Sequence, residues 1–89
     1  MFYFRCPDDA LRGYRVHAGD LLLCVPAQKV EDGAISLFFI NGKRVARKAN
    51  KLDGGRVHLQ SYDREFTSQA LPAAEARVLA KCVKLERRL

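Results

Sequence analysis

A chain of 89 residues has room for one small domain and excludes a second of ordinary size, so residues 1–89 read as a single unit. With 48% hydrophobic residues and a formal net charge of +6, it can bury a modest core, and pairing with another copy would bury more. No apolar run approaches the roughly 20 residues that span a bilayer, and the opening Met1-Phe2-Tyr3-Phe4-Arg5 is too short for a secretory leader.

In chain order, Asp8-Asp9 before Ala10-Leu11-Arg12 predicts a turn with a capping aspartate. Leu21 to Val25 is a continuous apolar run closed by Pro26, which predicts a buried strand ending where the proline cannot donate. Glu31-Asp32-Gly33 signals a turn, and Ala34 to Ile40 a second apolar strand. Asn41-Gly42 is the strongest hairpin signal, because both positions tolerate positive φ, and Lys43 to Ala49 should return antiparallel. After the Asp53-Gly54-Gly55 turn, Arg56 to Gln60 alternates polar and apolar residues as a half-buried strand does. Ser61 to Ser68 reads as irregular. Leu71 to Ala76 has the propensity for a short helical turn, while Val78 to Leu85 can be counted as a strand.

The basic residues are scattered, apart from Lys43-Arg44-Arg47-Lys48-Lys51 and the tail Lys81-Lys84-Arg87-Arg88. Positive charge of this kind attracts nucleic acid, an acidic protein or an anionic surface, or simply keeps a face solvated. Neither cluster is interleaved with aromatics as a base-stacking surface would be. Cys6, Cys24 and Cys82 are odd in number and widely spaced, so they close no zinc site and read as reduced thiols. Two adjacent carboxylates, Asp8 and Asp9, are poor ligands alone, and no metal is expected. His17 beside Asp20 could pair with it, or face solvent.

Several pieces, taken in order, carry a family likeness. They are Asp8-Asp9-Ala10-Leu11, Gly13-Tyr14, Gly19-Asp20-Leu21-Leu22-Leu23, Asp32-Gly33, Asn41-Gly42, Val45-Ala46-Arg47-Lys48, Gly55-Arg56-Val57-His58-Leu59, Ser61-Tyr62-Asp63-Arg64-Glu65-Phe66 and the segment Ala76 to Val83. Their sequence and spacing resemble the peptidase domain of LexA-type self-cleaving repressors and UmuD-like proteins. The likeness runs from Phe4 to Arg87. It implies a mostly β fold of twisted antiparallel sheets, of the LexA and signal-peptidase type, with a shallow peptide-binding cleft. The family's last element is a strand, which favours a strand from Ala76 to Glu86 here.

The departures fall at the chemistry. The resemblance places Ala10 where the family has its serine nucleophile, Leu11 where it has methionine, and Arg47 where it has the general-base lysine. Alanine carries no nucleophile, and an arginine side chain cannot take a proton from a hydroxyl. Lys48 is the one substitute in reach, but successive strand residues point to opposite faces, so it should face away from Arg47. Arg47 could instead ion-pair with Asp9 or Asp20 where the dyad once stood. Cys6, Ser36, Ser61 and Ser68 have no partner in the sequence that would activate them.

The leading expectation is a catalytically inactive domain acting as a dimerisation and regulatory module of a phage-type or stress-response repressor. The resemblance implies a cytoplasmic setting, no cofactor, no small-molecule ligand and no membrane. It also implies a homodimer joined through Val78, Ala80, Cys82, Val83 and Leu85. Contact with DNA would then run through a separate helix-turn-helix domain. Two other classes stay open: a serine–lysine self-cleaving peptidase inactivated by Ser→Ala at residue 10, and a small basic nucleic-acid-binding β domain.

Overall fold

The computed structural model describes residues 1–87. Seven strands make one wholly antiparallel sheet: β1 (Phe2–Arg5), β2 (Leu21–Pro26), β3 (Ala34–Ile40), β4 (Lys43–Leu52), β5 (Arg56–Tyr62), β6 (Phe66–Pro72) and β7 (Arg77–Glu86). A single 3-10 turn, Arg12–Tyr14, lies between β1 and β2. Among the described residues no helix is long and apolar enough to cross a membrane.

The spatial order is β1-β2-β7-β3-β4-β5-β6. Strands β3 to β6 follow one another as hairpins, whereas β7 returns to the interior of the sheet and separates β2 from β3. The β3–β4 turn takes φ of 51° at Asn41 and 78° at Gly42, the left-handed pair that matches the twist of the flanking strands. Ile40 accordingly faces Lys43 with no residue to spare.

Each face of the sheet carries a core, because neighbouring residues of one strand feed different cores. On β3, Leu37 joins Phe4, Leu11, Leu22, Cys24, Ala46 and Ala80, while the next residue, Phe38, joins Val30, Ala49, Val57, Leu59 and Ala76. Leu37 and Phe38 are each 0% exposed. This explains why β3 is apolar at neighbouring positions, with Ser36 its one polar residue, rather than alternating.

The strands at Leu21, Ala34, Lys43 and Arg56 start where the sequence places them, and β4 runs on past Ala49 to Leu52. Three readings need correction. Phe2–Arg5 forms a strand that the sequence leaves unassigned, pairing Phe4 with Leu22. The stretch Ser61 to Ser68 is ordered, since β5 continues to Tyr62 and Phe66 opens β6. Five of the seven β6 residues in a row are exposed, so no hydrophobic pattern marks a strand that exists through its ladder with β5. Leu71 to Ala76 closes β6 and then turns, with the Glu75 and Ala76 N–H groups donating to the Pro72 carbonyl, and does not form a helix.

Phe38 is the largest side chain that is fully buried. Phe38→Ala is expected to cost about 3–5 kcal/mol, the loss of a buried aromatic plus the cavity left behind. Urea unfolding followed by circular dichroism measures it.

Candidate functional site

Residues 6–20 form a closed loop rather than a free connection. The Cys6 N–H donates to the Asp20 carbonyl at 2.8 Å, and the Gly19 N–H donates back to the Cys6 carbonyl at 2.7 Å. Inside this closure the two adjacent carboxylates are both spent on backbone. Asp8 Oδ1 accepts from the Ala10 N–H at 3.0 Å, and Asp9 Oδ1 from the Ala18 N–H at 3.1 Å. Asp8 thus closes a tight turn, and the 3-10 segment that follows has no side-chain cap. Leu11, 1% exposed, pins the loop into the first core.

The loop docks on the far end of β5. The Tyr62 N–H donates to the Ala10 carbonyl at 2.8 Å. Gly13 lies so close to the Tyr62 ring that a Cβ there would collide with its Cβ, Cγ and Cδ1. Tyr14 meets Tyr62 edge-on at 5.9 Å, Tyr62 meets Phe66 at 6.1 Å, and Arg12 pairs with Asp63 at 2.6 Å. The Tyr14 hydroxyl is buried without a hydrogen-bond partner, and burial pushes its titration up.

Strand β4 supplies the basic side chains, and its alternation sorts them. Ala46 belongs to the core that holds Leu11, so Lys48, two residues on, shares the loop's face. Its Nζ lies 5.0 Å from the centre of the Tyr14 ring. Val45 and Ala49 pack against the other core, and Arg47 between them lines a groove of about 560 Å³ with Lys43, Ser61, Thr67 and Gln69. Lys48 and Arg47 therefore lie on opposite faces, and Lys48 is the one beside the Ala10 loop. The cluster Lys43-Arg44-Arg47-Lys48-Lys51 is divided in the same way and makes no continuous patch on one face. Arg88 of the basic tail lies outside the described residues.

Arg47 pairs with neither Asp9 nor Asp20; its Nη1 donates to the Ala46 carbonyl at 2.7 Å. The partner of Asp20 is Arg87. Arg87 Nε reaches Oδ1 at 3.1 Å and Nη2 reaches Oδ2 at 2.9 Å, while Nη2 also donates to the Arg15 carbonyl at 2.7 Å. His17 engages Asp20 through its backbone N–H, at 2.8 Å from Oδ2, and not through its ring. Gln60 Nε2 lies 3.3 Å from His58 Nδ1. Among the described residues no three His, Cys, Asp or Glu side chains converge as metal ligands would.

The five positions read as an interface separate into two groups. Ala80 is 0% exposed, Cys82 packs against the first core and Val78 against the second, so their side chains are used inside the protomer. Val83 and Leu85 are 50% and 38% exposed. Nor is β7 an edge strand: Arg77 to Lys81 pair with β3, and Ala80 to Glu86 pair with β2. Only Cys82 to Glu86 lack a strand on the β3 side among the described residues.

The sequence missed the Tyr14–Tyr62–Phe66 row, the Gly13–Tyr62 fit and the Arg87–Asp20 pair, since each joins residues far apart in the chain. The side of Lys48 was readable in principle, from its two-residue offset to a buried Ala46.

A family model described as Peptidase S24-like matches residues 1–83. No curated protein matches the chain.

The Arg87 guanidinium holds the Asp20 carboxyl below its ordinary value, with the His17 N–H assisting and burial opposing. A carboxyl depressed by folding adds stability above its unfolded value, about 3.9, and that stability is lost as pH falls through the folded value. Asp20→Asn should therefore lower the thermal midpoint at neutral pH, and its deficit against wild type should shrink as the solution is acidified below about pH 4. Thermal melts across pH provide the check.

Proposed function

The chain belongs to the S24-like peptidase family, and we propose that it is a non-catalytic member serving as a self-associating regulatory module of a phage-type or stress-response repressor. The observation that carries this reading is Ala10. The residue where the family likeness puts the nucleophile ends in a methyl group, yet its loop is closed by backbone hydrogen bonds and docked on β5. A frame kept in order without its reactive atom suits a domain retained for shape. Any association with DNA would pass through a separate reading head, paired on a two-fold operator by this domain. The setting is cytoplasmic, in keeping with three free cysteines.

The competing reading is a serine–lysine peptidase lacking only its serine. Its support is Lys48, the β4 amine on the Ala10 side. The two readings part on activity. Wild-type protein should remain intact on long incubation at alkaline pH, and Ala10→Ser should remain intact as well, because residue 47 offers no base. Mass spectrometry of the incubated chains decides. Specific cleavage of Ala10→Ser that Lys48→Ala abolishes would assign the base to Lys48 and overturn the non-catalytic reading.

Self-association is proposed through the open half-edge of β7. Among the described residues, Cys82 to Glu86 have no strand beside them on the β3 side, and Val83 and Leu85 within this segment are exposed. A second copy laid antiparallel across a two-fold axis would satisfy both edges at once. Val83→Asp would bury an unpaired charge at that seam and should weaken the dimer by at least about tenfold. Because Val83 faces outward, the variant should stay folded. Sedimentation equilibrium with circular dichroism tests both points; a wild type that is monomeric at tens of micromolar would refute the dimer.

A further inference from the structure

Strands β2 and β7 bring two thiols face to face. Cys24 and Cys82 are direct cross-strand partners, and their sulfurs lie 3.6 Å apart although the residues are 58 positions apart in sequence. Directly opposed antiparallel residues have Cα separations of about 4.5–5.5 Å, within the window a disulfide needs. The ladder is irregular at this pair. Cys24 pairs with Cys82 but Leu23 pairs with Lys84, leaving Val83 as an extra residue beside the thiols. Both cysteines are free, Cys24 fully buried and Cys82 partly accessible.

We propose that Cys24 and Cys82 are a modification site: a dithiol that a peroxide oxidises to an intramolecular disulfide, bonding β2 to β7. Cys82, the accessible member, attacks the peroxide oxygen; its sulfur becomes a sulfenic acid and water is released. The Cys24 sulfur then attacks the Cys82 sulfur. The S–S bond forms, the S–O bond breaks, and the oxygen leaves as a second water with the Cys24 proton. Two electrons pass from the sulfurs to the peroxide, and a dithiol reductant reverses the change.

Burial pushes both thiols up, so thiolate is scarce at neutral pH and the pair is slow toward passing electrophiles. Once the sulfenic acid forms, the second sulfur lies close enough to capture it before it oxidises further. Cys6 belongs to the same core but its Sγ is turned to the Asp8 carbonyl at 3.2 Å, which makes it an internal control. The bond would form at the root of the Cys82 to Glu86 half-edge and hold that segment against β2, without depending on the function proposed above.

The experiment treats the full chain with hydrogen peroxide at mildly alkaline pH, caps remaining thiols with N-ethylmaleimide under denaturing conditions, and maps the product without reduction. Expected are the loss of two hydrogen atoms, a single maleimide on Cys6, a Cys24–Cys82 linked peptide that dithiothreitol releases, and a raised thermal midpoint. Cys82→Ala should give no such link and no rise; should that variant not fold, the wild-type map still decides. Three capped cysteines, a disulfide that includes Cys6 or a second chain, or a sulfinic acid at Cys82 without a cross-link would each overturn the proposal.

Discussion

The backbone ladder of β7 is the constraint on which the remaining structure depends. Without it, β1 and β2 would form one ribbon and β3 to β6 another, with no strand pairing between the two. Strand β7 enters that gap, pairing with β3 through Arg77 to Lys81 and with β2 through Ala80 to Glu86. Its small side chain at Ala80, 0% exposed, lets the first core close over the junction. An inserted strand has to satisfy donors and acceptors on both sides, and an interior ladder cannot be left half-made without cost.

The loop that carries Ala10 inherits its position from the same insertion. Residues 6–20 close on themselves through Cys6 and Gly19, but the closed loop is tied down at two distant places. One is the Tyr62 N–H at the end of β5. The other is Arg87, the residue after β7, whose guanidinium grips Asp20 and the Arg15 carbonyl together. Asp20 is 4% exposed, so its charge is acceptable only because that partner and the His17 N–H are supplied. The site therefore reports on the integrity of the whole sheet, including its final strand.

In this member of the S24-like peptidase family the loop around Ala10 is firmly built. The turn, the anchored Leu11, the Gly13–Tyr62 fit and the aromatic row are all built. The Ala10 side chain at that turn is a methyl group. On β4 the split is clear, since Lys48 accompanies the loop and Arg47 lines a polar groove across the sheet. A one-residue difference in a strand exchanges faces, which is why residue type alone could not say which cation belongs to the site.

What the sequence determined by itself was governed by near neighbours. Asn41-Gly42 specified the hairpin because few residues accept two consecutive left-handed conformations. The apolar runs at Leu21 and Ala34 announced strands, and the ordered motifs disclosed the family. What tertiary structure alone decided was everything set by partners remote in the chain. An exposed strand such as β6 carries no burial pattern, so only its ladder with β5 reveals it. The terminal strand could be read as a strand but not as an interior one, because insertion between β2 and β3 leaves no local mark. The meetings of Arg87 with Asp20, Tyr62 with Ala10 and Cys24 with Cys82 follow from that insertion and from β5's reach. Their physical cause is the register of distant ladders, which chain-local chemistry does not encode one residue at a time.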